Sequence, residues 1–229
     1  MKKQIIVISL GGSLIIPKDI DLSFLQEFKK TIIKNSKNHK FIIVCGGGTI
    51  ARTYINALKK SKISNHIQGL IGISATNLNA KFVNYFFNNN ETNPMPDSIQ
   101  KLQELLKKQK IVICGGFNYK TDSTTDSNAA EIAKHFKTNF INLTNVSGLH
   151  DKDPKKHKNT KFISKISWNN FNNLARKIKF SPGQHFILDQ KASKIIMKNK
   201  IITYILGKNM SNLNNLLKNK TFIGTTIQG

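Results

Sequence analysis

The sequence predicts an α/β fold: a three-layer sandwich with a mostly parallel central sheet and helices on both faces. Short apolar runs of strand length alternate with segments of helical apolar period along the whole chain. Several of these runs end in glycine, which is typical of a strand that turns directly into a helix. The 229 residues can build a sizeable core, and we expect a single domain over 1–229. No apolar run approaches the roughly 18 residues of a membrane span.

The first half of the chain contains three predicted strands that end in glycine. They cover residues 4–10, 41–44 and 111–114, and the glycines follow at Gly11-Gly12, Gly46-Gly47-Gly48 and Gly115-Gly116. Apolar residues at helical spacing predict helices near 25–33, 50–58, 69–87 and 98–108. We therefore expect two strand–turn–helix units in succession, and the third strand repeats the apolar run and the glycine pair before a polar loop.

The second half continues the alternation with less regular spacing. Asp126 opens a helix, and the strand 140–143 leads into Thr144-Asn145. An irregular basic stretch covers 146–161. Further elements are predicted as helices at 167–178 and 188–198, a strand at 201–205, a helix at 210–217 and a terminal strand at 221–227.

The formal net charge is +24, from 36 Lys and Arg against 12 Asp and Glu. A nucleic-acid or membrane-surface binder would explain it, and so would compositional drift in a chain rich in Lys, Asn and Ile. We favour drift, because Arg52 and Arg176 are the only arginines and the lysines form no stripe. No specific nucleic acid and no membrane partner are expected, although the surface should favour anionic ligands.

Two cysteines, Cys45 and Cys114, each end an apolar run. This position predicts buried thiols of a reducing compartment rather than a disulfide or a metal site. The histidines show no metal-ligand spacing, so no metal-binding residues are predicted.

The glycine turns fall where parallel sheets bind ligands, beyond the carboxyl ends of the strands. Glycine lacks the Cβ atom that would keep a phosphate away from the first helical amides, and those amides carry partial positive charge. The alternative is a set of purely structural turns. The chain lacks the phosphate-loop motif that ends in Gly-Lys-Ser/Thr and the dinucleotide-binding glycine fingerprint.

A site rich in amides and poor in carboxylates suits phosphoryl transfer, which depends on alignment and charge stabilisation. Gly12-Ser13 and Gly47-Gly48 would hold phosphates from two sides, and Arg52 could form a fork onto phosphate oxygens. Asp126 could orient a basic group or the shell around a magnesium ion, or it could simply cap its helix. Asp153 could hold a nucleotide ribose or base edge, or be a turn residue.

Five motifs occur in an order that resembles the amino-acid-kinase superfamily, and within it the archaeal-type uridylate (UMP) kinases. The similarity extends from Ile5 to Ile227. The motifs are Gly11-Gly12-Ser13-Leu14, Gly46-Gly47-Gly48-Thr49-Ile50-Ala51-Arg52, Thr124-Thr125-Asp126-Ser127, Thr144-Asn145-Val146-Ser147-Gly148 and Asp151-Lys152-Asp153-Pro154.

The resemblance implies magnesium-dependent transfer of the ATP γ-phosphoryl group to UMP in pyrimidine nucleotide biosynthesis, by a cytoplasmic homohexamer or homodimer. Residues 1–120 would form the acceptor part and 121–229 the ATP part. Arg52 and Asp126 would be catalytic. The implied ATP site contains Gly11, Gly12, Ser13, Gly48, Arg52, Thr144, Asn145, His150 and Asp153. The implied UMP site contains Gly47, Gly69, Gly116, Phe117, Asn118, Ser123 and Thr124.

Several positions depart from the superfamily pattern. Ser9 stands where a lysine is frequent in the superfamily, and archaeal-type uridylate kinases also tend to lack that lysine. Gly69 replaces an acid expected to bind the UMP ribose, and His150 replaces an adenine-side tyrosine. The alternatives are therefore the same fold with another acceptor, such as isopentenyl phosphate or an amino-acid carboxylate, or a nonenzymatic basic protein that binds nucleotides or nucleic acids.

Overall fold

The computed structural model describes residues 3–90, 93–117, 124–151, 159–177 and 188–229. Its helices are α1 (Gly12–Ile15), α2 (Leu22–Asn35), α3 (Gly48–Lys60), α4 (Asn65–Asn88), α5 (Ile99–Lys108), α6 (Thr125–Phe136), α7 (Trp168–Arg176), α8 (Gln190–Lys198) and α9 (Met210–Leu217). Its strands are β1 (Gln4–Leu10), β2 (His39–Cys45), β3 (Ile111–Cys114), β4 (Phe140–Leu143), β5 (Leu149–His150), β6 (Phe162–Ile163), β7 (Lys165–Ile166), β8 (Thr203–Leu206) and β9 (Thr225–Ile227).

Seven strands form one sheet in the order β3-β2-β1-β4-β8-β9-β7. The strands from β3 to β8 run parallel to their neighbours, whereas β9 pairs antiparallel with β8. Strands β5 and β6 form a separate antiparallel pair. Leu10 is paired with Cys45 on one side and with Leu143 on the other. The ends of β3, β2, β1 and β4 therefore lie side by side on one edge of the sheet.

Helices cover both faces of this sheet. Val7 and Ile8 are fully buried, yet they belong to different core clusters because successive side chains of a strand point to opposite faces. One cluster contains Phe28 of α2 and Leu213 of α9. The other contains residues of α5, α6, α7 and α8, including Phe171. The predicted three-layer α/β fold is confirmed.

The element bounds differ from the predicted ones in a few places. Helix α4 begins at Asn65, four residues early, because the Ser64 side chain caps it by accepting from the Ile67 amide. The terminal strand is shorter than predicted and is antiparallel to β8. The short α1 and the two-residue strands β5, β6 and β7 were not predicted, since so few residues carry no readable period.

Both cysteines are buried free thiols, as predicted. Cys45 lies in one core cluster and Cys114 in the other, so their side chains occupy opposite faces of the sheet. Burial raises the pKa of both thiols. Over the part of the chain that the structure describes, no helix combines the length and the apolarity that a bilayer span requires.

Candidate active site

The turns after β1 and β2 pack backbone against backbone. A Cβ atom built on Gly12 would lie 2.0 Å from the Gly48 nitrogen, and one on Gly46 would lie 2.5 Å from the Gly12 nitrogen. Gly48 adds a positive φ of 61°, which L side chains rarely adopt. Side chains are therefore excluded from the contact between the two turns, and glycine is required on both sides of it.

This contact leaves a group of amides without protein acceptors. The amides of Gly11 and Gly46 donate to the carbonyls of Leu143 and Leu10, each at 2.9 Å, which fixes the start of each turn. The next amides, those of Gly12, Ser13, Gly47 and Gly48, donate to no acceptor within the described residues. We call these four amides the cradle. Their position at the start of α1 and α3 is typical of an anion-binding site.

Arg52 lies on α3, one turn beyond the cradle. Its Nη2 donates to the Thr49 hydroxyl at 2.8 Å, and that hydroxyl donates to the Pro17 carbonyl at 2.6 Å. Burial lowers the pKa of the guanidinium. Among the described residues the ion pairs join Lys101 to Glu104 and Lys134 to Glu131, so Arg52 has no carboxylate partner there. A partly desolvated cation beside free amides favours an anionic ligand.

Helix α4 is hydrogen-bonded to the glycine turns that follow β2 and β3. The Asn79 side chain donates to the Gly46 carbonyl at 2.7 Å, and the Thr76 hydroxyl accepts from the Gly116 amide at 2.8 Å. A Cβ on Gly115 would lie 2.2 Å from Asn77 Oδ1. The third glycine pair therefore permits close approach of α4, and the amide of Gly116 is not available to a ligand.

Two further predicted UMP residues, Gly47 and Gly69, lie next to this helix or on it. Gly47 sits close to α4, since its Cβ would be 3.5 Å from the Gly72 carbonyl and from the Thr76 methyl group. Gly69 is half-buried on α4, one turn before Ile73, which faces Gly116. Phe117 is partly buried and packs against the core.

Asp126 lies at the first turn of α6, beside the end of β1. The Ser9 hydroxyl donates to Asp126 Oδ1 at 2.7 Å. Thr124, not Asp126, caps α6: its hydroxyl accepts from the amides of Asp126 at 3.1 Å and Ser127 at 3.4 Å. The capping role considered for Asp126 therefore belongs to Thr124, and the Asp126 carboxyl is directed towards β1.

A second carboxylate approaches from α8. The Thr124 hydroxyl donates to Asp189 Oδ2, while Asp189 Oδ1 caps α8 by accepting from the Lys191 and Ala192 amides at 2.7 and 2.9 Å. Burial, and to a lesser extent the neighbouring Asp189, raises the pKa of Asp126 to about 7, against the opposing effect of the Ser9 hydrogen bond. Burial also raises the pKa of Asp189. We call Ser9, Thr124, Asp126 and Asp189 the carboxyl network.

The end of β4 borders the cradle on its other side. A Cβ on Gly11 would lie 2.8 Å from the Leu143 carbonyl, and the Thr144 amide donates to the Leu206 carbonyl at 2.9 Å. Asn145 is exposed. His150 lies on β5, where Nδ1 shares a hydrogen bond with the Thr160 hydroxyl at 3.0 Å and the ring meets Phe162 edge-on.

The structure thus brings together the glycine turns, Arg52, Asp126, Thr124 and Thr144 at one edge of the sheet. Three predicted residues, Asn118, Ser123 and Asp153, lie outside the described residues. In the described ranges, no three His, Cys, Asp or Glu side chains are grouped closely enough to hold a metal ion.

Sequence reasoning did not place four further residues in this site: Ser9, Thr76, Asn79 and Asp189. A usable signal existed for two of them. Thr76 and Asn79 are polar residues on the buried face of α4, with 7% and 4% of their surface exposed, and buried polar side chains are normally hydrogen-bonded. Ser9 replaces a frequent lysine, but nothing in the sequence links Ser9 or Asp189 to Asp126, because these contacts join residues far apart in the chain.

The chain is similar to known proteins over most of its length. Residues 4–207 match the model of the amino acid kinase family. A uridylate kinase of Thermoplasma volcanium is 33% identical over 225 residues, which cover 97% of each chain. A uridylate kinase of Thermococcus kodakarensis is 32% identical over 204 residues, covering 89% of this chain and 90% of the relative.

Solved structures show the same likeness. The crystal structure of uridylate kinase from Archaeoglobus fulgidus superimposes with a TM-score of 0.82 at 30% identity, covering 97% of this chain and 99% of that one. The UMP kinase from Ureaplasma parvum gives a TM-score of 0.80 at 25% identity over the full length of both chains. The similarity therefore includes all the elements that form the cradle.

Proposed function

This chain belongs to the amino acid kinase family, and we propose that it is a uridylate kinase, which transfers the γ-phosphoryl group of ATP to UMP and yields ADP and UDP. The observation that carries the proposal is the cradle, whose four amides donate to no acceptor among the described residues, with Arg52, which has no carboxylate partner in those residues, one helical turn away. UMP is proposed as the acceptor because the relatives that match nearly the whole chain are uridylate kinases.

In this reaction a phosphate oxygen of UMP attacks the γ-phosphorus, and the bond from that phosphorus to the β–γ bridging oxygen breaks. Negative charge spreads over the equatorial oxygens as the transferring group passes between the two nucleotides. The cradle amides are fixed by the contact between the two turns before any ligand arrives. They can stabilise this charge without reorganisation, which is the most effective form of electrostatic catalysis.

Arg52 would contribute a positively charged side chain to the site. Its guanidinium offers parallel N–H donors that match two phosphate oxygens at once. The Thr49 and Pro17 contacts hold the side chain near the start of α3, where the transferring group would lie. Asp126 would organise the reacting centre from the opposite side.

The two nucleotides would occupy the two sides of the cradle. We assign ATP to the β4 side, with the C-terminal part of the chain, and UMP to the α4 side, with the N-terminal part. The proposed ATP residues include Gly11, Gly12, Ser13, Gly48, Thr144, Asn145 and His150. The proposed UMP residues include Gly47, Gly69, Gly116, Phe117 and Thr124. Gly116 would contact UMP through atoms other than its amide.

Magnesium is proposed to enter as part of the substrate, bound to the ATP phosphates. Mg²⁺ usually keeps several waters and binds substrate phosphates rather than an all-protein cage.

Self-association as a homodimer or homohexamer is the proposed assembly. Helix α4 exposes Ile67, Leu70, Leu78 and Tyr85, each with 38–57% of its surface accessible. Their spacing places them along one side of the helix, opposite the buried Thr76 and Asn79. A second copy of the chain would cover this apolar side. The buried free thiols and the proposed substrates are consistent with a cytoplasmic protein.

A panel of acceptors tests the activity. The protein is incubated with ATP, Mg²⁺ and, separately, UMP, CMP, AMP and isopentenyl phosphate, and ADP release is measured. We expect UMP to give the highest kcat/KM. Preference for isopentenyl phosphate would assign another acceptor, as the absence of an acidic side chain at Gly69 would allow, and no turnover with any acceptor would contradict kinase activity. If the protein binds nucleic acid at low salt but not at physiological salt, that binding reflects only its positive surface charge.

A further inference from the structure

The start of α6, where Asp126 lies, is held from two elements that are far from it in the chain: Ser9 donates to the Asp126 carboxyl, and Asp189 accepts from the neighbouring Thr124 hydroxyl. Ser9 lies 117 residues before Asp126 and Asp189 lies 63 residues after it, and each is joined to the start of α6 by a side-chain hydrogen bond. Neither belongs to the residues assigned above to substrate binding or to catalysis. We propose that Ser9 and Asp189 are positioning residues that set the orientation and the charge state of Asp126.

Ser9 couples Asp126 to the cradle. Its side chain is 1% exposed and donates to Asp126 Oδ1 at 2.7 Å. Ser9 is followed by Leu10, and the Gly11 and Gly12 turn comes next, so the residue that holds the carboxyl belongs to the strand that delivers the cradle. The Ser9 hydrogen bond therefore fixes the carboxyl relative to the first cradle amides.

Asp189 couples the start of α6, on which Asp126 lies, to α8 by using both of its carboxylate oxygens. One caps α8 through two amides, and the other accepts the Thr124 hydroxyl proton. Because that single proton is directed to Asp189, the lone pairs of the hydroxyl remain for the α6 amides. The starts of α6 and α8 are thereby fastened together at Thr124, one residue before α6 begins.

The two residues act on the charge of Asp126 in opposite directions. The Ser9 hydroxyl stabilises the ionised carboxylate, whereas the like charge of Asp189 disfavours it. Asp189 is the charged group that acts on Asp126 among the described residues, and Lys191 is the one that acts on Asp189. Removal of either residue should thus move the Asp126 titration, and the two removals should move it in opposite senses.

This inference deepens the proposed function, but its test does not require activity. The protein without substrates is labelled with ¹³C at the Asp carboxyl carbon and titrated by NMR, and Asp126→Asn identifies the Asp126 signal. We expect Ser9→Ala to raise the Asp126 pKa and Asp189→Asn to lower it, each by about half a unit or more. Asn can still cap α8, so Asp189→Asn preserves that role.

Asp21 provides the matched control. It caps α2 by accepting from the Phe24 amide, the same role that Asp189 has at α8, and α2 packs on the opposite face of the sheet from α6. Asp21→Asn should leave the Asp126 titration unchanged. Equal titration curves in wild type, Ser9→Ala and Asp189→Asn, or shifts of the same sign in both variants, would overturn the proposal. If Asp189→Asn does not fold, the Ser9→Ala curve alone decides.

Kinetics supply the second readout. A positioning role predicts that Ser9→Ala lowers kcat more than it raises KM, and that Ser9→Thr, which keeps the hydroxyl, restores kcat. Failure of Ser9→Thr to restore kcat, together with an unmoved Asp126 titration, would reduce Ser9 to a packing residue. Absence of uridylate kinase activity with the titration shifts intact would refute the proposed function while leaving the carboxyl network in place.

Discussion

The cradle and the carboxyl network lie side by side at the end of β1 but are built in different ways. The cradle is made of backbone amides, and its glycines are required by contacts as short as 2.0 Å for a hypothetical Cβ. The carboxyl network is made of side chains from β1, α6 and α8. The first depends on the absence of side chains at adjacent positions, and the second depends on side chains far apart in the sequence.

Because of this difference, we expect the carboxyl network to tolerate substitution better than the cradle. Backbone packed against backbone cannot relax without moving two strands, so the cradle should fail completely when a methyl group is added. Hydrogen-bonded side chains can be replaced by others of similar shape, so the carboxyl network should change its properties by degrees. Gly12→Ala and Asp126→Asn test this contrast directly, and Arg52→Ala and Thr76→Val test the residues that adjoin the cradle. The expected effects decrease in the order Gly12→Ala, Arg52→Ala, Asp126→Asn and Thr76→Val.

Gly12→Ala should have the largest effect. Its Cβ would overlap the Gly48 backbone, so we expect kcat/KM to fall by more than about 10³-fold, since several fixed donors are displaced together. Stability should fall by about 3 kcal/mol or more, the upper range for overpacking. Thermal unfolding and steady-state assays measure both. Gly72→Ala is the control, because its Cβ would meet only the flexible end of Ile55 at 3.3 Å; similar losses in that variant would contradict the special role of Gly12.

Arg52→Ala should come next. Loss of one preorganised charged donor should lower kcat by about 10²-fold with little change in melting temperature. Arg52→Lys should recover part of the rate because it keeps the positive charge. Recovery should be incomplete, since lysine cannot donate two parallel hydrogen bonds to phosphate oxygens. Arg176, an exposed arginine at the end of α7, serves as the control. An unchanged rate for Arg52→Ala would remove Arg52 from the reaction.

Asp126→Asn separates activity from stability. We expect kcat to fall by roughly 10- to 100-fold, as for a positioned carboxyl in the reacting centre. The folded-state pKa of Asp126 is raised to about 7. Protonation of Asp126 therefore stabilises the folded wild type at low pH, and this stabilisation is lost as the pH rises towards 7. Asn does not titrate. The melting temperature of the variant relative to wild type should therefore increase between pH 4 and pH 8.

A constant difference in melting temperature across this pH range would contradict the raised pKa. A collapse of the variant at every pH would instead point to a purely structural carboxyl. Calorimetry at pH 4, 6 and 8 distinguishes these outcomes from the expected one.

Thr76→Val should have the smallest effect of the four. The substitution keeps the shape and leaves the Gly116 amide without its acceptor, which should cost about 1–3 kcal/mol of stability. We expect KM for UMP to rise a few-fold with kcat nearly unchanged, since the cradle itself is untouched. Ser74→Ala, on the exposed side of the same helix, is the control and should stay within about 0.5 kcal/mol of wild type. An equal loss of stability in both variants would argue against a specific role of Thr76 in fixing the turn after β3.

Much of the site could be predicted from the sequence because its parts are local. Gly12, Gly47 and Gly48 were identified because a strand, a glycine turn and a helix start are adjacent in the chain. Arg52 was identified because it follows that turn by one helical turn. Asp126 was placed in the site, but its partner could not be predicted, since Ser9 is an ordinary residue of β1 until the sheet pairs β1 with β4 and packs α6 beside it.

The alternation of strands and helices, the glycine turns at strand ends and the residues of the cradle can be predicted from short stretches of sequence. These depend on local periodicity and on the small size of glycine. The folded arrangement is needed to show that Thr124 rather than Asp126 caps α6, that Thr76 accepts from the Gly116 amide, and that Ser9 and Asp189 meet at the start of α6. Hydrogen bonds and pKa shifts of this kind depend on distances between residues that only the packing of the sheet and its helices brings together.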